Sequence, residues 1–346
     1  MPYTGLSSDL EAFNPDIPNL PTLLAPHMSR LVLFVITRST YLAYNFIYFR
    51  FFLFLVAFIC TLHIYNNPIY FLTVTIIKMS LNFNKIGKPV AMLKGGKYDK
   101  KIIYINPDLH DHDATDFKHL KIANESKFQH IPDTTKEREI LYITGPSGSG
   151  KSTYTRMFLE EYKKKFKDRE IYLFSSLKED ESLDKIKPKR FKIDDSLWKD
   201  PIEAEDLKES VCIFDDIDVI SDKKINEAVY SIMNNVLEIG RHFKITAIIT
   251  NHLPTNGRET RRILNEAHAY VFFPHSAGGK IRYLLQEYLD IDKKMVRYFK
   301  NANSRWCCIF KNFPQAYMME HEIGMLNVND DNEEGDPLPK QPNTTK

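Results

Sequence analysis

Residues 141–155 read LYITGPSGSGKSTYT, an apolar run that breaks into glycine, proline and hydroxyl side chains around a single lysine. Gly145, Gly150, Lys151 and Ser152 fit the spacing G-x-x-x-x-G-K-[ST], directly after a predicted buried strand and at the start of a predicted helix. In that context small residues let successive backbone N–H groups turn inward around a phosphate, and the helix N-terminus adds its positive end. The stretch Gly145, Pro146, Ser147, Gly148, Ser149, Gly150, Lys151, Ser152 and Thr153 is therefore expected to cradle the phosphates of ATP. Lys151 supplies a point charge to the β and γ oxygens, and the Ser152 hydroxyl completes a Mg²⁺ coordination sphere.

The flanking sequence predicts the layers such a loop needs. Short β-rich runs at 101–105, 139–144, 170–176, 210–216, 244–250, 269–273 and 305–310 alternate with amphipathic stretches such as 152–167 and 222–241. Met157, Phe158, Tyr162 and Phe166 line one face of the first stretch; Ile225, Val229, Ile232, Val236 and Leu237 line one face of the second. Strands separated by helices imply an α/β fold with a mostly parallel sheet flanked by helices, which together with the phosphate loop resembles the P-loop NTPases of the RecA/ASCE kind. With 47 Lys and Arg against 45 Asp and Glu the net charge is +2, so a polyanion site must be a local patch. Cys60, Cys212, Cys307 and Cys308 show no CxxC spacing, which argues against a disulfide framework or a zinc knuckle.

A phosphate loop alone does not separate a kinase from a GTPase or a motor. The stretch VCIFDDID at 211–218 does, because it drives a buried strand into two carboxylates. Asp215 is expected to hold Mg²⁺ through water, and Asp216 to orient and deprotonate the attacking water. Asp218 reads as a cap or turn residue for the next helix. The run 170–176 reads as the extra strand between the two motif strands. KITAIITNH then ends a further strand, with Asn251 as the expected γ-phosphate sensor. Arg241, or the cluster Arg258, Arg261 and Arg262, is a candidate arginine finger donated to a neighbouring subunit. No N-K-x-D stretch for guanine and no LSGGQ-like transporter signature is present.

With GPSGSGKS, CIFDD, GRHFKITAIITNH and the downstream block AYVFFPHSAGGKIRYLLQEYLDIDKKMVRYFKNANSRWCCIFKNFP in order, residues 138–324 resemble the FtsK–HerA superfamily. The likeness is greatest to the DNA-packaging ATPases of poxviruses and other large nucleocytoplasmic DNA viruses. The resemblance implies a homo-oligomeric ring, hexameric in form, that hydrolyses ATP between subunits and drives double-stranded DNA into a preformed capsid. It also implies residence in the virion or the viral factory of the host cytoplasm, with a capsid or portal protein as partner. Two departures stand out: Asp215-Asp216 where many members carry Asp-Glu, and Asn251-His252 where many carry glutamine. DNA contact is expected at SAGGKIR (276–282) or at Lys223 and Lys224, without sequence preference. A ring-forming helicase and a phosphotransferase acting on a small acceptor are the alternatives.

Outside that block, residues 1–78 form a hydrophobic extension. Its segment 31–77 is dense in aromatic and aliphatic residues, yet its longest uninterrupted apolar run is short of a bilayer span. It reads as membrane contact, as a buried helical element, or as sequence upstream of a start at Met79. Residues 79–137 are expected to be an accessory region, and the acidic 325–346 a disordered tail. HDHD at 110–113 reads as a polar turn rather than a metal site.

Overall fold

The computed structural model describes residues 80–107, 116–255, 257–276 and 278–326. The extension 1–78, the start at Met79, the HDHD stretch and the tail from residue 327 lie outside them. Among the described residues no helix is long and apolar enough to cross a membrane.

Five short strands come first: β1 (Ser80–Asn82), β2 (Lys88–Lys94), β3 (Ile102–Asn106), β4 (His119–Lys121) and β5 (Lys127–His130). The alternating portion follows as β6 (Ile140–Thr144), α1 (Lys151–Lys165), β7 (Glu170–Ser175), β8 (Lys189–Phe191), α2 (Ser196–Lys199), β9 (Ser210–Asp215), α3 (Lys223–Ile239), β10 (Thr246–Asn251), α4 (Gly257–Glu266) and β11 (Ala269–Phe272). The last elements are α5 (Gly279–Tyr283), α6 (Lys293–Asn301), β12 (Cys307–Phe310), β13 (Ala316–Met319) and β14 (Glu322–Met325). Met325 and Leu326, assigned by the sequence to the tail, are buried.

Strands β6, β9 and β10 are buried at every position. A strand without polar alternation is stable only when helices cover both of its faces. On one face Tyr142, Phe214 and Ile249 meet Val229, Ile232, Met233, Val236 and Leu237 of α3. On the other, Leu141, Ile143, Ile213 and Ile248 meet Tyr154, Phe158, Leu159 and Tyr162 of α1. Asp222 starts α3 by accepting a hydrogen bond from the Ile225 N–H at 3.0 Å, and Asp218, expected as a cap or turn residue, lies in the turn Ile217–Val219 before it.

The large sheet runs β4-β14-β13-β12-β11-β6-β10-β9-β7-β8. From β11 to β8 all neighbours are parallel; from β11 through β12, β13 and β14 to β4 they are antiparallel. The mostly parallel core thus holds, with a correction to which strand separates the two motif strands. It is β10, not the 170–176 run: β9 gives one edge to β10 and the other to β7. Two runs leave the parallel set. The 101–105 run is β3 of a separate antiparallel sheet, β1-β3-β2-β5, and the 305–310 run turns back against β11 as β12.

The small sheet shares its core with the α1 side: Leu81, Val90, Ile103 and Phe128 belong to the same apolar cluster as Phe158 and Trp306. His130 at the end of β5 joins the two, with Nδ1 2.9 Å from the Tyr154 hydroxyl and its ring 4.9 Å from that of Phe158. Burial, aided by the Lys88 charge, lowers its pKa to about 3, so this histidine is a neutral core residue.

Phe214 stacks on Phe174 at 4.9 Å, and Phe174 on Phe191 at 4.6 Å, directly behind the acidic end of β9. Phe214→Ala is expected to cost about 3–5 kcal/mol. At about 2–4 °C per kcal/mol for a domain of this size, thermal melting should show a drop near 10 °C; a shift under a degree or two would contradict this packing.

Candidate nucleotide site

Strand register brings the two motifs together. Thr144 of β6 stands opposite Asn251, and Asp215 of β9 stands between Thr250 on one side and Ser175 on the other. The loop leaving β6 and the acids leaving β9 therefore open at the same end of the sheet.

The chain leaves β6 with the Gly145 N–H donating to the Asn251 carbonyl at 3.1 Å. A Cβ at Gly145 would lie 2.6 Å from Ser149 Oγ and 2.8 Å from the Phe273 ring, so the loop can turn here only on bare backbone. Gly150, at φ 113°, occupies a left-handed conformation that opens α1 and that side chains resist. Pro146, Ser147 and Gly148 are exposed, and Ser149 and Ser152 are half-buried. Thr153 is exposed and sits 3.4 Å from the Ser182 hydroxyl.

Lys151 begins α1, yet its side chain is only 6 % exposed. Its Nζ donates to the Gly145 carbonyl at 2.9 Å and lies 3.3 Å from Asp216 Oδ1. The ammonium thus faces both the loop and the acids. Ser149 Oγ is buried in the same loop without a hydrogen-bond partner among the described residues. A buried hydroxyl left open inside a curl of backbone amides, beside a lysine, is a donor set suited to phosphate oxygens.

Asp215 is 3 % exposed. Its Oδ1 accepts from the Thr250 hydroxyl at 2.8 Å and its Oδ2 from the Ser175 hydroxyl at 3.0 Å. Burial, together with the neighbouring Asp216 charge, pushes its pKa up despite those two donors. A divalent cation would relieve that cost, and the Asp215 carboxylate with the Ser152 hydroxyl is the hard-oxygen pair that suits Mg²⁺.

Asp216 takes φ 47°, ψ 42°, a left-handed conformation that turns it out of the strand. Its N–H donates to Thr250 Oγ1 at 3.0 Å. The side chain stays 20 % exposed, with the Lys151 ammonium and the His252 Nδ1 each 3.3 Å from Oδ1. Asp218 lies behind, its Oδ1 3.9 Å from His252 Nδ1, and burial with the Asp216 charge raises its pKa. Two neighbouring carboxylates therefore differ: Asp215 is clamped and buried, whereas Asp216 is more open, beside the Lys151 ammonium and the His252 ring.

Asn251, the expected γ-phosphate sensor, is the last residue of β10. Alternate residues of a strand point to opposite faces, so Thr250 faces the acids while Asn251 Nδ2 donates to the Tyr142 hydroxyl at 3.3 Å. Asn251 Oδ1 is buried without a hydrogen-bond partner among the described residues. Arg241 is exposed at the far end of the parallel strands, where it adds to the positive field on Arg138 at the foot of β6. It cannot reach the site of its own chain. Arg262 pairs with Glu238 at 3.2 Å.

Thr250, Ser175 and His252 are the site residues that sequence reading passed over. The signal for the first two was a hydroxyl at the last or next-to-last position of each strand flanking β9, which acquires meaning only once the strand order is known.

A phosphate loop, a strand ending in two acids and a third parallel strand between them define a P-loop NTPase with the additional strand. Residues 123–265 match the family model described as Novel STAND NTPase 3. Protein V3 of Sputnik virophage is 40% identical over 244 residues, covering 70% of this chain and 96% of V3. Among solved structures, B204, the DNA-packaging ATPase from Sulfolobus Turreted Icosahedral Virus, aligns with 55% of this chain and 97% of its own, at 15% identity and a TM-score of 0.38. The pCW3 conjugation coupling protein TcpA in its monomer form with ATPγS aligns with 67% of this chain and 77% of its own, at 12% identity and a TM-score of 0.37. The chain belongs to the family of Sputnik virophage V3, and it is a nucleotide-binding P-loop ATPase.

Proposed function

We propose that this ATPase drives double-stranded DNA into a viral capsid, working as a homo-oligomeric ring. The observation that carries the reading is the Lys151 ammonium facing Asp216 at 3.3 Å, with Asp215 clamped beside it. That pair of acids at a strand end equips the site for water attack rather than for transfer to an acceptor, and the family tie to a virophage protein supports a viral setting.

In this reading the loop amides and Lys151 grip the β and γ oxygens of ATP. Ser152 and Asp215 would hold Mg²⁺, which when bound neutralises charge on the terminal phosphates. Asp216 accepts a proton from the attacking water, and its open side chain gives that water a place to stand. His252 stands against the Asp216 carboxylate, with Nδ1 3.3 Å from Oδ1. Asn251 reports the state of the loop through its carbonyl, which holds the Gly145 N–H. Arg241, remote from its own site, serves a neighbouring subunit in trans. A capsid or portal partner and a location in the virion or viral factory follow from the same reading.

The test is ATP hydrolysis by the full chain with and without long duplex DNA, beside Lys151→Ala. Wild-type turnover is expected to rise several-fold with duplex, and Lys151→Ala to abolish both rates. Turnover indifferent to duplex DNA would remove the translocase reading and leave the ATPase.

A further inference from the structure

We propose that the exposed face of α6, with Arg282 beside it, is a groove that binds the phosphate backbone of duplex DNA without reading its sequence. The inference rests on the translocase reading and adds to it the surface that holds the DNA.

Helix α6 has two unlike faces. Val296 and Phe299 are buried in the core and dock it. Lys293, Arg297 and Lys300 recur at i, i+4 and i+7 on the exposed side. At 1.5 Å rise per residue they form a row about 10 Å long. A cavity of about 530 Å³ lies along that row, and its lining includes Arg282, Lys293, Arg297 and Lys300 with Gln286 and Asn301, and no acid. A second cavity, about 630 Å³, continues on the other side of Arg297 and adds Lys121 and Lys294.

The acid in that second cavity, Glu322, is already engaged. It lies 3.4 Å from the Lys121 ammonium, which it offsets, and it accepts from His119 Nε2 at 2.7 Å and from the hydroxyls of Tyr317 at 2.6 Å and Tyr298. Burial opposes its ionisation, but these donors outweigh burial and hold its pKa down to about 2. By contrast, Arg282, Lys293, Arg297 and Lys300 form no ion pair among the described residues. A row of cations without counter-charge repels itself, and a polyanion relieves it. Duplex DNA offers one charge per about 1.7 Å of axis, dense enough to meet every cation in the row. An anionic membrane surface fits less well, because it needs exposed apolar anchors, whereas Val296 and Phe299 of α6 are buried and its exposed large side chain, Tyr298, carries a hydroxyl bound to Glu322.

The earlier candidates sort against this surface. Lys223 lies 3.8 Å from Glu227, and Lys224 sits over the Trp198 ring at 5.3 Å. Arg282, from the 276–282 stretch, lies in the groove. The groove also has a short route to the nucleotide: α6 packs on the turn Pro274–Ser276, and the preceding residue, Phe273, lies against Gly145 and Gly150.

The test uses the full chain and a fluorescent duplex of about 40 base pairs, with binding followed by anisotropy from 50 to 200 mM KCl. The triple variant Lys293→Ala/Arg297→Ala/Lys300→Ala is compared with wild type and with Lys163→Ala/Lys165→Ala/Lys167→Ala, which removes the same charge from the end of α1 and the turn after it. The α6 variant is expected to lose about tenfold or more in affinity at 100 mM salt, with a log–log salt slope shallower by about 2–3. Its ATP hydrolysis without DNA should match wild type, which also shows that it folds; the α1 variant should bind within about twofold of wild type. Unchanged affinity and slope in the α6 variant would place the DNA elsewhere and leave the translocase reading standing. Equal losses in both variants would reduce the effect to net charge and overturn the groove. Wild type that does not bind duplex would overturn both, including the case in which phosphatidylserine vesicles bind instead.

Discussion

Asp216→Asn is expected to lower ATP turnover by about 10²–10⁴-fold, the range supplied by a positioned proton acceptor, while nucleotide affinity changes little. Asn keeps the shape of the side chain and a carbonyl oxygen for the Lys151 ammonium, but it cannot take a proton. Gripping the phosphates falls to the loop amides and to Lys151, neither of which the substitution touches. Single-turnover hydrolysis and binding of a fluorescent ATP analogue separate the two effects. Turnover within about threefold of wild type would dismiss Asp216 as the base and pass that role to another group near the loop. Parallel loss of binding and turnover would mean that the 3.3 Å contact with Lys151 organises the loop rather than the water.

Asp215→Asn is expected to abolish metal-dependent turnover, by about 10²-fold or more as for other preorganised charge stabilisers, and yet to raise thermal stability at neutral pH. The two effects share one cause. The folded protein holds this carboxyl at a raised pKa, through burial first and the Asp216 charge second. Between the ordinary carboxylate value and the raised one, the folded state binds more protons than the unfolded state, so stability falls as pH rises through that window. Above it the full cost of a buried anion is present, and Asn removes that cost while retaining partners in Ser175 and Thr250. Melting should therefore favour the variant at pH 7–8, by about 2–4 °C for each kcal/mol relieved, and the advantage should vanish near pH 4. For turnover the sign is opposite: acidification neutralises Asp215 and weakens metal binding at a pH above that of an ordinary aspartate. A variant less stable than wild type at pH 8 would show that the Thr250 and Ser175 hydrogen bonds outweigh the burial of the charge.

How much of this site can be read without coordinates depends on the range of the interaction. The glycines at 145 and 150, Lys151 and the apolar runs at 139–144 and 210–216 act within a few residues of themselves, and each ends up where its local pattern puts it. Asp222 shows the limit of even that range: an acid three residues before an apolar helical position caps α3, and Asp218 merely precedes it. Misreadings grow with sequence separation. The 170–176 run is the next strand after the phosphate loop in the chain, but β10, over 70 residues later, is the one that inserts between β6 and β9. Asn251 and Thr250 are neighbours in the chain, and strand parity against β9 turns Thr250 toward the acids.

By itself the sequence determined the chemistry at the end of one strand: bare backbone where phosphate oxygens approach, one ammonium, and two acids after a buried run. Those are short-range consequences of backbone sterics and hydrophobic patterning, which neighbouring residues dictate. Tertiary structure alone decided that Ser175 and Thr250 clamp Asp215, that His252 stands against Asp216, and that the cations of α6 line up with Arg282 along one groove. Each of these depends on strand register or helix docking across the fold. Hydrogen bonds and charge contacts act only over a few ångströms, so their partners exist only after packing has brought distant segments together.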